Sequence, residues 1–111
     1  MLKIGEITEI VLGKVANNTR YGVSLRFESV NDSRCPTGLV CVWQGNASVQ
    51  LYLKTQKGEY DFTLNSIGTS PHFEDEVIIE GFICRLIDVL PYPVFGEEQP
   101  VKTIKILVDK K

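Results

Sequence analysis

The chain has 111 residues, 43% of them apolar and 23% charged, with a formal net charge of −2. That size and balance suit one globular domain with room for a single core, and they exclude a disordered chain. The 12 lysines and arginines are scattered among 14 acidic residues, without the basic stripe of a nucleic-acid binder, and no apolar run approaches the roughly 20 residues of a membrane-crossing helix.

Apolar residues recur with period two along most of the chain, the spacing of half-buried strands rather than helices. Residues 2–12 read as one strand, apolar at Leu2, Ile4, Ile7, Ile10 and Leu12, and a slip in the spacing predicts a bulge near Gly5. Asn17-Asn18-Thr19-Arg20 reads as a turn. Tyr21, Val23, Leu25 and Phe27 then share one face, opposite Gly22, Ser24, Arg26 and Glu28. After a cysteine-containing segment, Ala47, Val49, Leu51 and Leu53 alternate with Ser48, Gln50, Tyr52 and Lys54. A two-residue turn at Lys57-Gly58 would set Leu53 opposite Phe62, Leu51 opposite Leu64, Tyr52 opposite Thr63 and Lys54 opposite Asp61, pairing apolar with apolar and opposite charges.

Residues 66–76 read as a loop with Gly68, Pro71 and an acidic end. Residues 77–90 form one long strand or two divided at Gly81, ended by Pro91 and Pro93. Residues 95–100 are a further loop, and residues 103–108 a last strand with Ile104, Ile106 and Val108 inward. Six to eight short strands separated by turn signals predict an all-β fold, a small antiparallel sandwich or partly open barrel, over residues 1–111 as a single domain.

The segment Asp32 to Ala47 departs from this rhythm, with Cys35, Pro36, Gly38, Cys41 and the only tryptophan, Trp43, close together. The leading reading is a disulfide: five intervening residues with Pro36 and Gly38 can fold back and join Cys35 to Cys41, which stabilises such a small ring by about 2 kcal/mol. Zinc is an alternative, since Cys35, Cys41, Cys84 and His72 make a formal Cys₃His set, although structural sites space paired ligands more closely. Cys84 also reads as a buried apolar thiol between Phe82 and Leu86. A redox or nucleophilic cysteine is a third alternative, without a Cys-x-x-Cys motif to support it. The fourth is compatible with the first: a stapled loop presenting Thr37, Gly38, Leu39 and Val40 to a partner. Trp43 reads as a core residue against the staple, or as a surface platform.

Asp32-Ser33-Arg34-Cys35-Pro36, then Cys41-Val42-Trp43, Gly45 and Ala47, resemble a signature of small uncharacterised bacterial secreted proteins and lipoproteins. The Gly81-Phe82 strand leading to Pro91-Tyr92-Pro93 is similar to the ending of that pattern, so the resemblance covers most of the chain. It implies a compartment and a fold type rather than a reaction. The implied export agrees with a Cys35–Cys41 disulfide, which cytosolic reductants would oppose. Met1 leads almost directly into strand-like sequence, so the expectation is either a cytoplasmic protein or a mature domain behind a starting methionine, and the cysteines favour the second.

Three Asn-x-Ser/Thr sequons, at Asn17, Asn31 and Asn46, read as turn chemistry rather than glycan sites. Glu74-Asp75-Glu76 and Glu97-Glu98 lack the spaced ligands of a calcium loop and read as solvated loop ends. In Asp32-Ser33-Arg34, the aspartate is expected to accept backbone N–H groups while Arg34 pairs with a nearby carboxylate. No phosphate loop, nucleophile elbow or metalloprotease motif occurs. The expectation is therefore a non-enzymatic extracytoplasmic binding or structural module with no catalytic residues, cofactor or metal. Its partner would be an unidentified protein or surface ligand bound at residues 37–40, helped by the loops at 66–76 and 92–100. The alternatives are a secreted hydrolase inhibitor acting through the same loop, and a metal or thiol protein using Cys84 and His72.

Overall fold

A computed structural model describes residues 1–42, 45–66, 74–98 and 100–111. Among them, the alternating segments form eight strands and no helix. These are β1 (Ile7–Val11), β2 (Val15–Asn18), β3 (Val23–Asp32), β4 (Ala47–Lys54), β5 (Glu59–Asn65), β6 (Glu76–Ile79), β7 (Phe82–Leu90) and β8 (Thr103–Lys110). They make two four-stranded sheets, β1-β8-β7-β6 (sheet A) and β2-β3-β4-β5 (sheet B). All named neighbours pair antiparallel. The result is an open sandwich rather than a closed barrel.

The two inner faces come directly from the alternation. Val23, Leu25 and Phe27 of β3 and Ala47, Val49, Leu51 and Leu53 of β4 are buried. They meet Phe82, Cys84, Leu86 and Val89 of β7 and Ile104, Ile106 and Val108 of β8 in one cluster. Each large aliphatic side chain buried this way contributes about 1.5–3 kcal/mol relative to exposure. Two steps of three interrupt the rhythm, Phe27 to Val30 and Leu86 to Val89. Each falls where the ladder shifts register by a bulge, between Phe27 and Ser29 and between Leu86 and Asp88. The bulge takes up the extra residue, so the apolar side chains after it return to the core.

Three local expectations change. Residues 2–12 are not one bulged strand. Ile4 bridges Val108 in parallel, the chain reverses around Gly5 (φ +87°), and β1 then runs antiparallel to the same partner strand. Asn17 and Asn18 belong to β2 rather than to a turn. Asn18 is buried, donating its amide to the Leu2 carbonyl at 2.9 Å and accepting the Tyr21 N–H at 3.0 Å, so the turn comes after it. The β4–β5 hairpin forms two residues out of the expected register: Leu53 faces Tyr60, Leu51 faces Phe62, Tyr52 faces Asp61 and Lys54 faces Glu59. The reason is Thr55. Its hydroxyl accepts the N–H groups of Lys57 (3.0 Å) and Gly58 (3.1 Å), and its own N–H bonds to the Gly58 carbonyl, so the turn centres on Gln56-Lys57. A slip of two keeps every side chain on its face, so apolar still meets apolar and Lys54 still meets an acid.

The division at Gly81 is a two-residue hairpin turn between β6 and β7. Glu80 (φ 53°) and Gly81 (φ 81°) both lie in the left-handed region that this turn type demands.

Candidate functional site

Two long loops meet at one end of the sandwich. Residues 33–46 join β3 to β4 in sheet B, and residues 91–102 join β7 to β8 in sheet A. A short parallel bridge links them: the Thr37 N–H donates to the Pro93 carbonyl and the Phe95 N–H to the Thr37 carbonyl, both at 2.9 Å. The first loop is closed at its base by Ser33, whose N–H (2.8 Å) and hydroxyl (2.7 Å) both donate to the Asn46 carbonyl. Gly45 (φ +77°) lies so close to that base that a Cβ would sit 2.1 Å from the Ser33 carbonyl oxygen. Only glycine meets both demands.

Beneath the bridge lies a buried ionic brace. Asp32, the last residue of β3, accepts two side-chain bonds from Arg34, Nε at 2.8 Å and Nη2 at 2.7 Å. It also accepts the Arg34 backbone N–H at 3.3 Å, and Lys102 Nζ lies 2.9 Å from Oδ2. Arg34 also reaches across to the loop of sheet A, donating to the Pro91 carbonyl at 3.4 Å, and Lys102, which crosses the other way to Asp32, donates to the same carbonyl within its own loop at 2.6 Å. The Arg34 guanidinium stacks 4.6 Å from the centre of the Tyr92 ring. All three ionic side chains are less than a tenth exposed. Burial alone would raise the Asp32 pKa, but the hydrogen bonds from Arg34 and Lys102 outweigh it and hold the carboxyl at about 2. The expected Asx-type turn is therefore present, and the carboxylate that Arg34 finds is Asp32 itself. Lys102 was not anticipated, although its parity with Ile104, Ile106 and Val108 marks it as inward-facing.

Cys35 and Cys41 are joined, with Cα atoms 6.0 Å apart. Of the residues expected to face a partner, Thr37, Gly38, Leu39 and Val40 are all exposed. Thr37 has a second task, since its backbone makes the bridge, and Gly38 turns the chain at φ +93°. Val40 and Val42 stand clear of the surface at 98% and 106% exposure. From the second loop, Tyr92, Val94, Phe95 and Val101 are exposed too, Phe95 by 62%. Nothing in the sequence from Tyr92 to Gly96 foretells that loop's pairing with Thr37.

The remaining sequence candidates are dispersed. Trp43 and His72 lie outside the described residues. The Cys35 and Cys41 sulfurs are bonded to each other, and Cys84 is fully buried on β7, where desolvation pushes its thiol up to about 11. Among the described residues, no three His, Cys, Asp or Glu side chains gather in a way that could hold a metal ion, and no helix is long and apolar enough to cross a membrane. Asp75 lies 3.8 Å from Arg85, Glu76 opens β6, and the Glu74 carbonyl accepts the Asn65 N–H. The sequons are not all at turns: Asn17 and Asn31 sit within β2 and β3. Asn46 is buried, bonded to Asn65 and Ser48. No family model, no curated protein and no solved structure matches the chain.

Proposed function

We propose that the protein is a non-enzymatic binding or structural module of the bacterial cell envelope. On this reading it groups with the small secreted proteins and lipoproteins whose cysteine motif it resembles, and its full-length form is tethered outside the cytoplasm. The observation that carries the reading is an exposed apolar tip standing on a buried brace. Thr37, Gly38, Leu39 and Val40, with Val42 and Phe95 beside them, form the contact surface. Exposed aliphatic and aromatic side chains at one spot cost solubility and mark an interaction site when they are contiguous. A disulfide and a paired neighbouring loop hold them in place before binding, which lowers the entropy lost on association. The same disulfide supports a compartment without cytosolic reductants.

A photoreactive amino acid in place of Val40 should give a discrete crosslinked product in cell-envelope fractions. The same residue in place of Gln50, on the polar exterior of sheet B, should not. Equal yields from the two positions would sink this reading. The convex shape of the tip also supports a narrower version, in which it plugs the cleft of a hydrolase. A panel of secreted hydrolases, assayed with the wild-type protein and with Val40→Asp, tests that version directly.

A further inference from the structure

Exposed aliphatics occur elsewhere on this protein, and the contrast shows what is different about the tip. The exterior of sheet A carries Ile7, Val11, Ile78 and Ile87, but the cross-strand neighbours Glu9, Lys105 and Asp88, and Arg85 beside Leu107, break them up. Scattered apolar residues of that kind are ordinary for a sheet exterior. At the tip, neither residues 35–42 (CPTGLVCV) nor residues 91–96 (PYPVFG) include a single charged side chain. The bridge between Thr37 and Val94 sets the two uncharged stretches side by side.

The charges that border the tip are mostly of one sign. Glu97 and Glu98 follow Phe95-Gly96 directly and are exposed. Glu74 is exposed at the same end, its carbonyl bonded to the last residue of β5. Of the cations there, Arg34 and Lys102 are buried on Asp32. Lys14, on the turn between β1 and β2, is exposed.

Shape and charge together narrow the partner. Val40 and Val42 protrude, so the surface that buries them must be concave. Two copies meeting tip to tip would set Glu97 and Glu98 of one against those of the other, and an anionic lipid surface would repel the same rim. We infer that the tip inserts into an apolar recess on a partner protein whose rim carries lysine or arginine. This deepens the proposed function and rests on it.

The test pans a library of random disulfide-cyclised peptides against the immobilised protein, kept oxidised, and in parallel measures sedimentation with vesicles of phosphatidylethanolamine and phosphatidylglycerol. Val40→Asp serves as the tip variant and Glu97→Gln/Glu98→Gln as the rim variant, each checked for an unchanged thermal midpoint. The expected peptides combine aliphatic or aromatic residues with lysine or arginine. They should lose about tenfold or more in affinity against Val40→Asp, and about twofold to fivefold against the rim variant, with a similar loss at raised salt. Peptides that depend on Val40 but lack basic residues and ignore the rim variant would overturn the basic-rimmed partner and leave the binding module standing. Sedimentation with vesicles that Val40→Asp abolishes would overturn it in favour of lipid. Failure to enrich any peptide sensitive to Val40→Asp would remove both this inference and the reading beneath it.

Discussion

The two ends of the sandwich are closed in different ways. At one end the connections are tight turns, Gln56-Lys57 between β4 and β5 and Glu80-Gly81 between β6 and β7. A surface carboxylate joins them, with Glu80 accepting hydrogen bonds from the Tyr60 and Thr55 hydroxyls across the gap between the sheets. At the other end the β3–β4 and β7–β8 connections are long, and the groups that join them are buried: Asp32, Arg34 and Lys102 under a bridged and stapled loop pair. Short turns close a sandwich cheaply but display nothing. Long loops display side chains, and they must then be held by interactions strong enough to offset the entropy of ordering them.

The largest expected effect breaks this contrast at its buried side. Asp32→Ala leaves Arg34 and Lys102 without their shared carboxylate, and truncating one member of a buried ionic set costs about 3–5 kcal/mol. Urea denaturation should show that loss. A variant within about 1 kcal/mol of wild type would mean that the brace is solvated in solution and that the two ends are alike. Next comes Gly45→Ala, which combines a left-handed backbone, worth roughly 1–3 kcal/mol for a residue with a Cβ, with a 2.1 Å approach to the Ser33 carbonyl oxygen. Gly81→Ala, at φ +81° with open space around it, pays only for the backbone. The thermal midpoint of Gly45→Ala should therefore fall well below that of Gly81→Ala, and equal midpoints would show that the loop base can shift.

Removing the staple with Cys35→Ser/Cys41→Ser should cost about 2 kcal/mol, the loop-closure entropy of a small ring. The two-sheet fold should remain, because Asp32, Arg34 and the Thr37 bridge hold the base of the loop independently. Hydrogen exchange should then quicken at Leu39 and Val40 and stay slow in β4 and β8. Fast exchange throughout would mean that the ring supports the sandwich itself.

How much of this was legible follows from what each feature depends on. The inner faces of β3, β4, β7 and β8 were readable because a period of two records burial directly, and even the bulges leave a mark as the three-residue steps at Phe27–Val30 and Leu86–Val89. The β4–β5 register was not readable, since two registers satisfy the same pairing rule and the choice rests on one threonine hydroxyl. The pairing of Cys35 with Cys41 was carried by local spacing. The partnership of Asp32 with Lys102, 70 residues apart by their numbers, was not, because nothing local tells a buried lysine which carboxylate it will meet. The same holds for Phe95, which joins the tip only because another loop's backbone reaches it.

The smallest effect compares the two closures through acid. Asp32 is held at about 2 against an ordinary value of 3.8, and hydrogen bonds from Tyr60 and Thr55 lower Glu80 as well. A carboxyl whose pKa is lower in the folded state contributes stability above its unfolded pKa and loses it as the pH falls through the folded value. For Asp32 that window runs from about pH 4 down to about pH 2. Glu80 is only half-buried, so solvent still screens its interactions, and in Glu80→Gln the amide oxygen can still accept from both hydroxyls. Unfolding free energy measured between pH 5 and pH 2 should therefore fall steeply in the wild type and almost as steeply in Glu80→Gln, whereas Asp32→Asn should start lower and fall more gently. A curve flattened more by Glu80→Gln than by Asp32→Asn would reverse the assignment, placing the acid-sensitive closure at the turn end and leaving the apolar tip on a base that acid does not loosen.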